Sequence, residues 1–315
     1  MASPAKPAAA QEKAKTPEKA KADIQPEKQH EQPGMEWNMQ TASPARRWEA
    51  GAGRLRDWDK KCLITGGDSG IGRSVAVHFA REGADVAIVY LPSEEKDVAE
   101  TEALVAKEGR RCVRIAGDVG SHDFCQEAVK KVVDELGGLD VLVNNASQQH
   151  YHEDISETNV YGYFYMAQAA LKHMKPGASI INTTSVVAYR GSASLLVYSA
   201  TKGAEARGGF DSWGGGGGME GMAMTRALAN LAVSNGIRVN ACAPGPIWTP
   251  LIPATFPEEK IKAWKGEVPM DRPGQPAEVA PCYVFLACEG GGWGGDSSFY
   301  IGQTLHPDGG VPMND

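Results

Sequence analysis

The chain has 315 residues, 42% of them apolar and 23% charged, with a net charge of −7. That apolar share is enough for a large core and excludes global disorder, and the acidic balance speaks against a nucleic-acid partner, which needs a basic face. Residues 1–60 hold 11 Lys/Arg and 9 Asp/Glu, so they carry +2 and the rest of the chain carries −9.

In chain order, residues 1–34 are rich in Pro, Ala, Lys, Glu and Gln and read as disordered. Glu12, Glu18, Asp23 and Glu27 argue against a transit peptide, so the cytoplasm is expected, with a plastid as the second choice. Six cysteines without CxxC spacing fit a reducing compartment. No apolar run reaches the ~18 residues of a membrane span. Trp37, Met39, Trp48, Leu55 and Trp58 are expected to anchor an arm that drapes over the domain or a neighbouring subunit. From residue 61 strands and helices alternate. Strands are expected at 61–65, 85–90, 112–116, 139–144, 179–183, 237–241 and near Tyr300. Helices are expected at 73–82, 94–108, 122–136, 161–174, around Tyr198 and at 278–287. Such alternation means an α/β fold with a doubly wound, Rossmann-like parallel sheet of about seven strands. One domain, residues 53–315, follows an arm over residues 1–52.

Four stretches carry chemistry. Thr65-Gly-Gly-Asp-Ser-Gly-Ile-Gly72 lies between the first strand and first helix. Gly66, Gly70 and Gly72 permit a tight turn whose N–H groups approach a pyrophosphate, with Asp68, Ser69 and Ile71 in the same loop. The bland alternative is a flexible glycine turn. Tyr90 ends the second strand, where the adenosine ribose of a dinucleotide lies. Glu94, Glu95 and the non-basic Ser69 lean to NAD, while Arg73 is within reach of an NADP 2′-phosphate. Asp118-Val119 suits an adenine contact, or Asp118 simply caps its loop. Asn144-Asn145-Ala146-Ser147 ends the fourth strand as a bracing amide turn beside the cofactor, or as a plain Asx turn. Ser185 follows the fifth strand, thirteen residues before Tyr198. Tyr198 and Lys202, four apart, share one helix face. A free phenol has a pKa of ~10, too high for a base at neutral pH, and a nearby ammonium favours phenolate. Ser185 can hold a carbonyl oxygen while Tyr198 moves its proton. Gln148, Gln149 and Tyr151 stand beside the amide turn as pocket candidates. His150 and His152 lack a third ligand, so no metal is expected.

Together TGGDSGIG, NNA, Ser185, YSATK and Asn240-Ala-Cys-Ala-Pro-Gly-Pro246 resemble the short-chain dehydrogenase/reductase family over about residues 53–313. GGDSGIGRSVA, INTTSVVAYRG, PGPIWTPLIP, LHPDGG and Gln32-Pro-Gly-Met-Glu36 are closest to its glucose/ribitol dehydrogenase-like and NADP-dependent aldehyde reductase branch. The resemblance implies an NAD- or NADP-dependent oxidoreductase acting on small aldehydes, ketones or sugars and their alcohols. Ser185, Tyr198 and Lys202 would carry catalysis, Lys202 would also bind ribose, and Asn159 would complete a proton relay. Pro244, Gly245 and Ile247 would lie beside the cofactor, Gln148 and Trp248 beside the substrate. A homo-oligomer, commonly a tetramer, is implied. A 3-oxoacyl-carrier-protein reductase and a catalytically weakened cofactor-binding paralogue are the alternatives.

Three departures from the family stand out. Asn145 and Asn159 are 14 residues apart, which shortens the helix before Asn159. A glycine-rich insertion over 205–221 interrupts the helix after Lys202-Gly-Ala204; five consecutive glycines cannot hold a helix interior at ~1 kcal/mol each. Gly290–Gly295 interrupts the chain again.

Overall fold

In the computed structural model of the chain, the described residues are 59–151, 154–206, 224–256, 268–288 and 297–311. The tryptophan-bearing arm, His152, the glycine-rich residues 207–223 and the stretch 290–295 lie outside them.

Seven parallel strands form one sheet: β1 (Lys61–Thr65), β2 (Asp85–Tyr90), β3 (Cys112–Ala116), β4 (Val141–Asn144), β5 (Ser179–Thr183), β6 (Arg238–Cys242) and β7 (Thr304–Leu305). Their order is β3-β2-β1-β4-β5-β6-β7. The β2, β4, β5 and β6 residues are all buried, as expected for a parallel sheet covered on both faces.

Side-chain alternation splits the core into two layers. Cys62 and Ile64 of β1 and Val141 and Val143 of β4 join one cluster with Val75, Phe79 and Tyr283. Leu63 and Leu142, one residue out of phase, join the other with Val129, Met166 and Leu228. The first layer is roofed by α1 (Gly70–Arg81) and by the helix Pro276–Ala287; the second by α3 (His122–Leu136), α4 (Tyr163–Leu171) and the helix Met224–Ala232. The remaining helix on the β2–β3 side is α2 (Glu95–Lys107). In α1 the buried residues are Gly72, Val75, Ala76, Phe79 and Ala80, the spacing of one helical stripe. Ser121 caps α3 by accepting from Phe124 N, and Gly137 at φ 86° ends it.

The helix expected at 161–174 begins with a π-helical turn, Glu157–Gly162, and continues as α4. The strand expected near Tyr300 is not formed there: Tyr300 follows a turn, and pairing occurs at Thr304–Leu305. Asn240 takes up Tyr300 O and Gln303 N with its side chain, while Gly302 N and Gln303 O bond to the β6 backbone, so regular pairing is reached at Thr304–Leu305. The remaining helices are α5 (Val187–Arg190), α6 (Leu196–Ala206), α7 (Met224–Ala232), α8 (Leu251–Thr255) and α9 (Pro276–Ala287). So α6 runs through Lys202 and reaches Ala206, the last described residue before the glycine-rich stretch.

β1 and β4 are neighbours from which the chain winds in opposite directions, so a crevice opens beyond their carboxyl ends. A third cluster, Ile155, Leu195, Tyr198, Ile252 and Phe256, stands over that edge. Phe79 is fully buried between α1 and the sheet. Phe79→Ala is expected to destabilise the chain by about 3–5 kcal/mol, read as a lower urea midpoint; an unchanged midpoint contradicts this packing.

Candidate active site

The crevice is a cleft of about 670 Å³. Its floor is set by a staple between β1 and β4. Thr65 Oγ1 accepts from the Asn145 and Ala146 amides at 2.9 and 3.0 Å. Asn145 Nδ2 donates back to Thr65 O and Gly66 O at 3.1 and 3.0 Å. The amide turn therefore braces the two central strands. Gly66, at φ +61°, leaves no room for a side chain: a Cβ there would lie 2.9 Å from Ala146 Cα. A Cβ on Gly72 would lie 2.0 Å from Gly66 O. Ser69 makes no side-chain cap to α1, so the first N–H groups of that helix have no capping partner on it. A glycine cradle at an uncapped helix start fits a pyrophosphate.

Gly66, Asp68, Ser69, Gly70 and Ile71 line the cleft. Gly72 does not; it packs behind the loop and lets it close. Tyr90, Asp118, Val119, Asn145 and Ala146 also line it, as do Pro244, Gly245 and Ile247 from the far side. Asp118 Oδ1 accepts from Gly120 N at 2.8 Å, which is the loop cap, and the residue still faces the cleft. Arg73 does not line the cleft. Its guanidinium donates to Asp68 O, Thr101 Oγ1, Glu100 and Asp97 O, tying the glycine loop to α2. Tyr90 Oη donates to Glu95 at 2.7 Å. Burial pushes the Asp68 and Glu94 carboxyls up, and both face this end of the cleft.

At the other end stand Ser185, after β5, and Tyr198 and Lys202, on α6. Ser185 and Ser147 stand beside the Tyr198 hydroxyl. Ser147 Oγ donates to Asn159 Oδ1 at 3.2 Å. Asn159 is fully buried behind the wall: it accepts from Gln148 N at 2.8 Å and donates to Gln148 O and Thr201 Oγ1. The π-helical turn puts it there. Burial raises the Tyr198 phenol, and the Glu205 carboxylate raises it further; the Ser185 and Ser147 hydroxyls act the other way. Lys202 is 1% exposed, and burial lowers its ammonium. Its Nζ lies 5.8 Å from the Tyr198 ring centroid.

Gln148 is exposed and lines the cleft. Gln149 is buried, also lines it, and its Nε2 has no hydrogen-bond partner. Trp248, expected at the substrate, does not line the cleft and is 44% exposed. Ile247 pairs in parallel with Gly274, and Trp248 N donates to Gly274 O; alternation along that bridge turns Ile247 in and Trp248 out. Ser147 is the site residue that motif spacing does not single out. Its place beside NNA was the available signal, but only the fold brings it to Tyr198. Among the described residues no cluster of His, Cys, Asp and Glu could hold a metal ion, and no helix is long and apolar enough to cross a membrane.

Residues 60–207 match the family described as short chain dehydrogenase, and residues 219–312 match the one described as Enoyl-(Acyl carrier protein) reductase. The chain is 47% identical to a glucose and ribitol dehydrogenase from Daucus carota, over 92% of this chain and 97% of that one. It is also 47% identical to NADPH-dependent aldehyde reductase 1, chloroplastic, from Arabidopsis thaliana, over 91% and 98%. The crystal structure of a short chain dehydrogenase from Burkholderia cenocepacia in complex with NADP superposes with a TM-score of 0.68 at 28% identity, covering 81% of this chain and 98% of that one. On its sheet order, its glycine cradle and these likenesses, the chain belongs to the short-chain dehydrogenase family.

Proposed function

We propose that the protein interconverts small aldehydes, ketones or sugars and their alcohols, with Ser185, Tyr198, Lys202 and Asn159 as its working residues. The observation that carries this reading is the meeting of Ser185, Tyr198 and Ser147, with Ser147 hydrogen-bonded to Asn159, at the cleft end that also holds Lys202. When bound, NAD or NADP supplies or accepts the hydride. Ser185 donates a hydrogen bond to the carbonyl oxygen and orients it. Tyr198 gives its proton to that oxygen as the alcohol forms, and takes it back in oxidation. Ser147 and Asn159 would relay the replacement proton back to Tyr198. Lys202, with its ammonium turned toward the cleft, would stabilise the phenolate and hold the ribose.

Asp68, Ser69 and Gly70 would cradle the pyrophosphate, and Asn145 and Ala146 would flank the cofactor. Arg73 is committed to α2, and Asp68 and Glu94 face the end beside β2, an arrangement that favours NAD over a 2′-phosphate. Leu195, Ile252 and Phe256 supply an apolar roof for a small substrate, and the unpartnered Gln149 Nε2 suits a hydroxyl or carbonyl oxygen on it. The names of the carrot and Arabidopsis relatives support the substrate class, a sugar or polyol for one and an aldehyde for the other, while the Arabidopsis name gives NADPH as that protein's cofactor. A 3-oxoacyl-carrier-protein reductase would need a basic docking patch, which a net charge of −7 disfavours. We further place the protein in the cytoplasm as a homo-oligomer, a tetramer by family likeness, with residues 53–315 as the single catalytic domain.

Tyr198→Phe is expected to abolish turnover of an aldehyde panel and to leave NADH binding, read by fluorescence, within about twofold; retained turnover removes Tyr198 from the mechanism. Because Tyr198 titrates above its ordinary value, alcohol oxidation, which uses the phenolate, should speed up as pH rises across the alkaline range, whereas aldehyde reduction should not. A flat oxidation profile contradicts this. Gly72→Ala should weaken cofactor binding by at least about tenfold, because its Cβ would meet Gly66 O and push the cradle open; unchanged affinity would mean that the loop has room to spare. Comparing NADH with NADPH on one aldehyde tests the cofactor preference, and a higher kcat/KM with NADPH overturns it.

A further inference from the structure

The inner face of α6 carries a second ionisable group. Glu205 sits three residues after Lys202 and is 0% exposed. Its carboxylate lies 3.2 and 3.3 Å from Lys202 Nζ. The same Nζ donates to Thr183 O at 2.9 Å and to Tyr163 Oη at 3.3 Å. An ammonium has three N–H groups. The Thr183 carbonyl, the Tyr163 hydroxyl and the Glu205 carboxylate take all of them. None remains for Tyr198 or for a ribose hydroxyl in the cleft.

The competition is unequal. A hydrogen bond between two ions is roughly twice as strong as one to a neutral oxygen. A ribose hydroxyl therefore cannot easily draw the ammonium from the carboxylate. Charge works in the same direction: a carboxylate beside Lys202 offsets the positive field that would stabilise a phenolate on Tyr198. Among the described residues, Lys202 is the hydrogen-bond partner of Glu205, and the other titratable groups around the pair are Tyr198 on α6, Tyr163 on α4 and Tyr283 on α9. Tyr283 is linked to the site through Thr183, whose Oγ1 lies 2.8 Å from its hydroxyl. The Tyr163 and Tyr198 phenols are both raised, by burial first and by Glu205 second.

We propose that Glu205 is a positioning residue that restrains Lys202, holding its ammonium away from the ribose and from Tyr198. This rests on the proposed roles of Lys202 and Tyr198. The carboxylate exerts the restraint only when ionised. Burial pushes Glu205 up to about 8, so the restraint is released as pH falls below that value and engaged above it.

Fluorescence titration with NADH, which needs no turnover, provides the test. Glu205→Gln keeps the shape and removes the charge. It is expected to bind NADH about tenfold tighter than the unaltered chain near pH ~9, the worth of one charge-assisted hydrogen bond. Near pH ~6, where Glu205 holds its proton, the two should agree within about twofold. In alcohol oxidation the rise with pH should begin at lower pH in the variant. Equal affinities at both pH values, weaker binding by the variant, or a ratio independent of pH each overturn the proposal. Should Glu205→Gln not fold, the unaltered chain gives a second reading. Its NADH affinity should fall as pH rises through about 8, and Lys202→Met should lack that step. The same fall in both chains overturns the proposal. Absence of carbonyl turnover bears on the proposed reaction, while these affinities bear on Glu205.

Discussion

Everything in the site hangs on the staple between Thr65 and Asn145. Parallel strands whose connections leave in opposite directions have nothing covalent to hold their ends in register. Here one hydroxyl accepts two amides, and one carboxamide returns two hydrogen bonds to the neighbouring strand end. The staple fixes Gly66 against Ala146 at a distance no side chain tolerates. It thereby sets the start of α1 on one side and the turn leading to Ser147 on the other. The groups proposed to bind the cofactor and those proposed to move the proton are in this way referred to one pair of strand ends. A buried polar cross-link of this kind survives because every member is satisfied.

Behind the staple the chain buries more polarity than a plain core would. Asn144 donates to Asn182, Asn182 donates to Thr225, and Asn159 bridges Gln148 and Thr201. These bonds link β4, β5, α6 and α7 across the second core layer. They make the layout specific, since a shift of any one strand would strand a buried amide. Lys202 and Glu205 form the ionic end of this network, where desolvation is dearest.

The fold was largely legible from local pattern. Strands over 61–65, 85–90, 112–116 and 179–183 follow from short apolar runs, and α1 and α3 from their apolar stripes and flanking turns. The glycine loop and the tyrosine–lysine pair were legible because their spacing is local too. What depends on long-range pairing was not. Tyr300 lies in an aromatic, strand-prone stretch, yet Asn240, sixty residues away in sequence, claims its carbonyl. Trp248 beside the Pro-Gly turn suggests a pocket, and only the bridge to Gly274 shows that it faces away. Arg73 has the charge for a phosphate, but α2 supplies the carboxylates that occupy it. Ser147 and Glu205 are ordinary residues in the sequence; contact with Tyr198 and Lys202 gives them meaning.

The π-helical turn at Glu157–Gly162 has a consequence for how this segment can vary. A π turn holds one residue more than the α turn it replaces. Substitutions along it leave the phase of α4 intact. Loss of a single residue would restore an α turn and rotate everything upstream by about 100° relative to α4. Tyr163, Met166 and Ala170 would stay in the core, but Asn159 would swing off Gln148 and Thr201. The segment should therefore tolerate changes of residue type far better than changes of length, and a one-residue deletion there would take Asn159 away from Ser147 while sparing the core.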